Sequence, residues 1–224
     1  MLKIMAMLGC SKTHFLVLIR LVSITLFLGW GNSFYGQISN LDSLRTAIAQ
    51  AKADTSRILL ENELAASLYQ SDKDSALQLL RSSIIAAEKI SYRTGLYKLW
   101  FTKAFIHLQY NQLDSAFIGF SKAKEIASDV GDEIGLIRAL NALSYCVQNK
   151  RKGIPYLEEA LEIATAIGDK EKQAAVMTSL GIAYSNLAEF DSAEIYYIKA
   201  LAIHKEKREK KPQADILRNL GNNA

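Results

Sequence analysis

The chain has 224 residues, half of them hydrophobic and 22% charged, with two prolines and twelve glycines, which suits one globular domain or a short repeat array. Residues 1–36 hold Lys3, Lys12 and Arg20 and no acid, so +3 of the net +4 lies there and the remainder carries only +1. A body so close to neutral excludes the broad basic surface of a nucleic-acid binder. Apolar residues recur at three- and four-residue spacings and alternating strand patterns are absent, so the sequence predicts an all-α protein.

In chain order, the first segment is a leader. Lys3, Lys12, His14 and Arg20 precede the apolar run LVSITLFLGW (Leu21–Trp30), and small and polar residues, GNSFYGQ, follow. A positive start, a short apolar centre and a small-residue exit predict a secretory signal peptide over 1–36. Gly29-x-Gly31, Gly31-x-Ser33 and a cut before Gln37 all suit cleavage. An uncleaved membrane anchor is the rival reading, but the apolar stretch is interrupted by Arg20 and falls short of the roughly 20 residues a spanning helix needs. Cys10 precedes the apolar run and so does not mark a lipoprotein. The expected location is exported, periplasmic or cell-envelope, or else attached to the cytoplasmic membrane.

Residues 37–53 read as an entry helix that caps the first repeat. From residue 54 the chain aligns with itself. KDSALQLLRSSIIAA (Lys73–Ala87), LDSAFIGFSKAKEIA (Leu113–Ala127), KGIPYLEEALEIATA (Lys152–Ala166) and FDSAEIYYIKALAIH (Phe190–His204) are four copies of one helix. Their aligned small residues Ala76, Ala116, Gly153 and Ala193 are 40, 37 and 40 residues apart. A partner helix precedes each copy, giving four helix pairs over 54–211. The segment 212–224, with Leu217, Leu220 and Gly221, reads as the first helix of a truncated fifth repeat.

These residues resemble the tetratricopeptide repeat. Met177, Leu180, Gly181, Tyr184, Phe190, Ala193, Tyr197 and Ala200 follow its signature of spaced aromatic and small residues. Trp100, Ala104, Leu113, Ala116, Phe120 and Ala123 follow it in the second copy, where Lys103 and His107 replace the usual Leu and Tyr. The resemblance implies a right-handed α-solenoid of stacked helix-turn-helix hairpins. Close backbone approach explains the small positions: Gly181 and Ala193 are expected to face each other within one pair, and Ala200 to admit the next. Gly95, Gly131 and Gly168 are expected as left-handed helix ends, and Asp74, Asp114 and Asp191 as N-caps.

No metal-ligand spacing, phosphate-cradling loop or nucleophile motif appears, so no catalytic residue, metal or cofactor is assigned and the chain is not expected to be an enzyme. Cys146, on an apolar face, reads as a buried structural thiol. In the resembled family the first helices line a concave groove for extended peptides or partner helices. Carried over, that groove takes Lys98, Phe101, Phe105 and Leu108 from the second repeat. The third contributes Arg138, Asn141, Tyr145 and Gln148, and the fourth Thr178, Ile182 and Asn186. The family's two-carboxylate clamp is missing, since Phe101, Thr102 and Phe105 stand where donors would be needed. An aromatic floor at Phe101, Phe105 and Tyr145, edged by Lys98 and Arg138, is expected instead. The expected function is a non-enzymatic scaffold for a protein or peptide ligand, with no nucleic acid and no metal. Membrane contact would come only through the leader or a missing C-terminal segment. Such a layout resembles the extracytoplasmic sensory part of larger bacterial signalling proteins; the alternative is a stand-alone secreted or periplasmic assembly or adaptor factor.

Overall fold

The computed structural model describes residues 41–207 and 210–223. The leader and the start of the expected capping helix lie outside the described residues. The chain divides after Ala51 into two units. In the first, residues 41–50 form helix α1, where Arg45 Nη1 pairs with Asp42 at 3.2 Å and the Thr46 hydroxyl donates to the Asp42 carbonyl.

The second unit is a succession of helices: α2 (Asp54–Leu68), α3 (Lys73–Lys89), α4 (Arg93–Gln109), α5 (Leu113–Val130), α6 (Glu133–Cys146), α7 (Ile154–Ala166), α8 (Lys170–Ser185), α9 (Phe190–Glu206) and α10 (Lys210–Asn223). Among the described residues there is no strand. Each even-numbered helix pairs with the odd one after it, and each pair packs on the next, giving an all-α solenoid of stacked hairpins. Every first helix also touches the first helix of the following hairpin, whereas second helices meet more sparsely, as at Phe117–Tyr156 and Lys124–Glu159. The first helices therefore lie on the inner side of the curve.

Five of the turns share one geometry. Ser91, Asn111, Gly131, Gly168 and Ala188 adopt the left-handed conformation, with φ of 53°, 54°, 69°, 71° and 57°. At each, the next residue's N–H reaches back to the last turn of the helix, as in Asp132 N to Ala127 O at 2.9 Å and Glu189 N to Tyr184 O at 3.0 Å. This is a six-residue helix-terminating turn that uses up carbonyls otherwise left without donors. Gly95 does not serve in it. Ser91 takes the left-handed position, and Gly95 sits in the first turn of α4, where a Cβ would stand 2.3 Å from the Tyr92 ring.

The N-caps also differ from expectation. Asp74 and Asp191 lie inside the first turns of α3 and α9, and Asp114 inside that of α5, where their charge meets the helix dipole without capping a N–H. The capping carboxylates are Asp72 on Ser75 N, Asp132 on Gly135 N and Asp169 on Lys172 N, at 3.0, 2.8 and 3.0 Å. The Ser75 hydrogen bonds hold the Asp72 carboxyl below its ordinary pKa. Between α6 and α7 the shortened turn folds as a 3-10 segment, Lys150–Gly153, capped by Asn149, with Pro155 in the first turn of α7.

Small residues set the closest approaches. A Cβ on Gly119 would lie 2.7 Å from Ala104 Cβ, so α4 and α5 meet there almost backbone to backbone. Ala76, Ala116, Ala160, Ala193 and Ala200 are fully buried. Gly181 faces not Ala193 but Tyr197, one turn further along α9, whose ring comes within 2.5 Å of where its Cβ would be. Ala193 and Ala200 share a buried cluster with Tyr197, Leu201 and Ile216, which carries the packing on into α10.

Candidate functional site

The inner side of the curve carries a cavity of about 610 Å³ built from α6, α8, α9 and α10. Helix α6 contributes Asn141 and Tyr145, one turn apart. Helix α8 contributes Glu171, Ala175, Thr178, Ser179 and Ile182, and α9 contributes His204 from its last turn. Helix α10 closes the far wall with Lys211, Pro212, Asp215 and Ile216. Asn141, Tyr145, Thr178 and Ile182 are thus brought together. Ser179, Glu171, His204, Lys211 and Asp215 are not singled out by the sequence. For Glu171 the signal was its helical spacing with Ala175 and Thr178 on the same stripe as Ile182.

The polar groups of this cavity are mostly engaged with one another or with the backbone of the surrounding helices. The Thr178 hydroxyl donates to Ala174 O at 2.9 Å, and the Tyr145 hydroxyl donates to Ser179 Oγ at 3.3 Å. Gln213 Nε2 donates to His204 O at 2.9 Å. Glu171 pairs with Lys172 and Lys207 at 3.3 and 3.7 Å, and Asp215 with Arg218 at 3.3 Å, so the acids are largely neutralised. Asn141 Oδ1 is different: it is buried and accepts no hydrogen bond. Buried amide oxygens nearly always have a donor. Asn62 Oδ1 on α2 shares that condition, and Asn62, Phe101, Asn141 and Thr178 occupy one repeat position.

The second repeat is arranged otherwise. Phe101 is half-buried between Tyr97 and Phe120, at ring-centroid distances of 5.9 and 5.1 Å, and the Arg138 guanidinium lies 4.9 Å above it. Phe105, 38% exposed, meets the ring of Tyr69 edge-on at 6.1 Å. Lys98 is exposed, while Leu108 packs into the core against a cluster that includes Ala104, Phe120 and Leu143. The three aromatics therefore form separate contacts rather than one floor: Arg138 covers Phe101, Tyr69 opposes Phe105, and Tyr145 belongs to the cavity further along. Gln148 lies off the stripe, because α6 ends at Cys146 and Val147 is extended. It lines a separate cavity of about 540 Å³ with Asp114, Ile118 and Lys152. Asn186, exposed at the end of α8, borders a small space beside Ser144 and Gly153.

Chemically, the inner cavity offers an apolar floor, hydroxyls and paired carboxylates, a lining that suits binding. Among the described residues no group of three His, Cys, Asp or Glu could hold a metal ion. The Cys146 thiol is pushed up to about 11 by burial, so at neutral pH it is not a thiolate. No described helix is long and apolar enough to cross a membrane.

Residues 147–206 match the tetratricopeptide repeat family. None of the curated proteins compared with the chain matches it. Among solved structures, the chain is similar to BtubC (BKLC) from P. vanneervenii, at 20% identity and a TM-score of 0.71, covering 84% of this chain and 80% of that one. It is also similar to a Signal Transduction ATPase with Numerous Domains protein with a tetratricopeptide repeat sensor from Pyrococcus horikoshii. There the identity is 21% and the TM-score 0.70, over 79% of this chain but only 28% of that one. Aspartyl phosphate phosphatase F from Bacillus subtilis shows 16% identity and a TM-score of 0.70, over 96% of this chain and 61% of its own. At these identities the likeness is one of fold. The stacked hairpins thus share the fold of tetratricopeptide-repeat structures, and residues 147–206 are a tetratricopeptide repeat by sequence.

Proposed function

We propose that this chain is a non-catalytic scaffold that holds an extended protein or peptide segment in the cavity between α6, α8 and α10, as the extracytoplasmic sensory part of a larger signalling protein. The observation that carries the binding reading is the cavity itself, where the apolar surface of Ala175, Ile182 and Ile216 is edged by Asn141, Tyr145 and Thr178. An extended backbone supplies N–H donors along its length together with side chains for such a floor. The leader pattern of residues 1–36 supports export. The solved relative from Pyrococcus horikoshii carries its repeats as a sensor, which supports the signalling role.

Peptides selected from a random display library against the full chain test the binding reading. They should lose affinity for Tyr145→Ala and Ile182→Asp while helical circular dichroism persists; selected peptides indifferent to both changes remove it. Fusing residues 1–40 to a reporter that is active only after export tests the location, and an inactive fusion removes the extracytoplasmic part of the reading.

A further inference from the structure

The second repeat departs from its signature at Lys103 and His107, and the groove does not use either residue. With 3.6 residues per turn, the stripe Trp100, Lys103, His107 lies roughly opposite Phe101 and Phe105 on α4. It opens on a separate cavity of about 190 Å³, closed on the other side by Ser115, Ile118 and Gly119 of α5. The ammonium of Lys103 rests 4.7 Å from the centre of the Trp100 ring. His107 Nδ1 is 2.7 Å from Gln112 Oε1, which also accepts from Lys73 Nζ at 3.2 Å. The same amide oxygen serves two donors and so fixes the imidazole.

This corner holds positive charge without compensation. Among the described residues neither Lys103 nor Arg81, on the neighbouring α3, forms an ion pair, and no carboxylate lines the cavity. Burial first, and the Arg81 charge second, hold the Lys103 ammonium below its ordinary pKa. A half-buried cation normally sits beside an anion. The repeat signature would place an apolar residue here, and Leu or Met at 103 would fill the same space without that cost.

We propose that the cavity binds a tetrahedral oxyanion, inorganic phosphate or the head of a phosphate monoester, through Lys103, His107 and Ser115. Lys103 supplies the charge, the Ser115 hydroxyl donates to one oxygen, and the imidazole donates from Nε2 when protonated. The indole of Trp100 and the exposed side chain of Ile118 form an apolar lip on which the organic part of an ester would lie. Gly119, where α4 and α5 come together at Ala104, forms the floor of the cavity.

The test is calorimetric titration of the full chain with sodium phosphate and with phenyl phosphate, the ionic strength held constant with chloride. Both anions should bind the wild type, and Lys103→Met should weaken them by about tenfold or more, the scale of a charge-assisted hydrogen bond. Lys122→Met, which removes the same charge from an exposed pair with Glu125, should bind as the wild type does. Tighter binding of phenyl phosphate assigns the site to a monoester, and equal binding assigns it to the free anion. Should Lys103→Met fail to fold, Ser115→Ala with His107→Gln replaces it and should show the same loss. Absence of heat with both anions in the wild type, or equal affinity in wild type and variants, overturns the proposal.

Discussion

The ring of Tyr197 occupies the space that Gly181 leaves by having no side chain: a Cβ at Gly181 would stand 2.5 Å from Tyr197 Cε1. Tyr197 is itself 1% exposed, so its ring has nowhere to go. Gly181→Ala gains helix propensity of about 1 kcal/mol, but forcing bulk into a filled core costs about 1–3 kcal/mol. Urea unfolding should show a net loss of stability. The double variant with Tyr197→Leu should lose less than the sum of the singles, because the two changes act on one space.

Ala188 ends α8 in the left-handed conformation, as Gly131 and Gly168 end their own helices, yet it carries a Cβ. Left-handed geometry costs a non-glycine residue about 1–2 kcal/mol. Ala188→Gly should therefore stabilise the chain by about 1 kcal/mol after the extra freedom of glycine in the unfolded chain is allowed for, and so raise the unfolding midpoint. A lowered midpoint in thermal or urea melts would contradict a strained turn at this position.

Asp132 and Asp169 cap α6 and α8 through Gly135 N and Lys172 N. Replacing either with Ala should cost about 1 kcal/mol. Asp114→Ala, within the first turn of α5, loses only a favourable charge near the helix dipole and should cost about 0.3–1 kcal/mol. Denaturant melts of the three variants order them.

Asn141 couples stability to binding in opposite senses. Its buried Oδ1 has no donor, and an unsatisfied buried acceptor costs about 1–3 kcal/mol. Asn141→Leu should leave the protein as stable or more stable while weakening its peptide ligands. A stability loss above about 1 kcal/mol in differential scanning calorimetry would show that the amide has a structural partner.

Tyr97 sets an alkaline limit. Its hydroxyl donates to Gly135 O at 3.3 Å, and burial pushes its pKa up to about 12. Above pH 10 the unfolded chain gives up this proton while the folded chain keeps it, so stability falls as pH rises from about 10 to 12, by about 2–3 kcal/mol. Tyr184 and Tyr197 are shifted the same way by burial. Tyr97→Phe should make the alkaline decline of the melting temperature shallower without abolishing it.

Helical periodicity and the recurrence of Ala76, Ala116, Gly153 and Ala193 made the hairpins legible in the sequence, since all four are buried where helices meet. Periodicity names the buried face of a helix but not the atom opposite it, which is why Tyr197 rather than Ala193 lies against Gly181. Cap positions depend on where a helix begins to within one residue. For α3 that residue is Asp72 and not Asp74, because Asp72 N is already bonded to Leu68 O. Part of the inner cavity was visible as one stripe of α8. Its outer wall was not, because His204 and Asp215 reach it from helices whose register depends on Tyr197 and Ile216. Gln148 fell outside because the short turn after Cys146 stops α6 before the stripe could continue.

Every first helix touches the next first helix, while second helices meet through isolated side-chain pairs such as Phe117 with Tyr156 and Lys124 with Glu159. Successive hairpins are thus fastened more closely along one margin than the other, like pages sewn at the spine. The looser margin, where Ile85 and Ile198 look outward, can carry fluorophores, affinity tags or tethers without forcing the bound leaves apart.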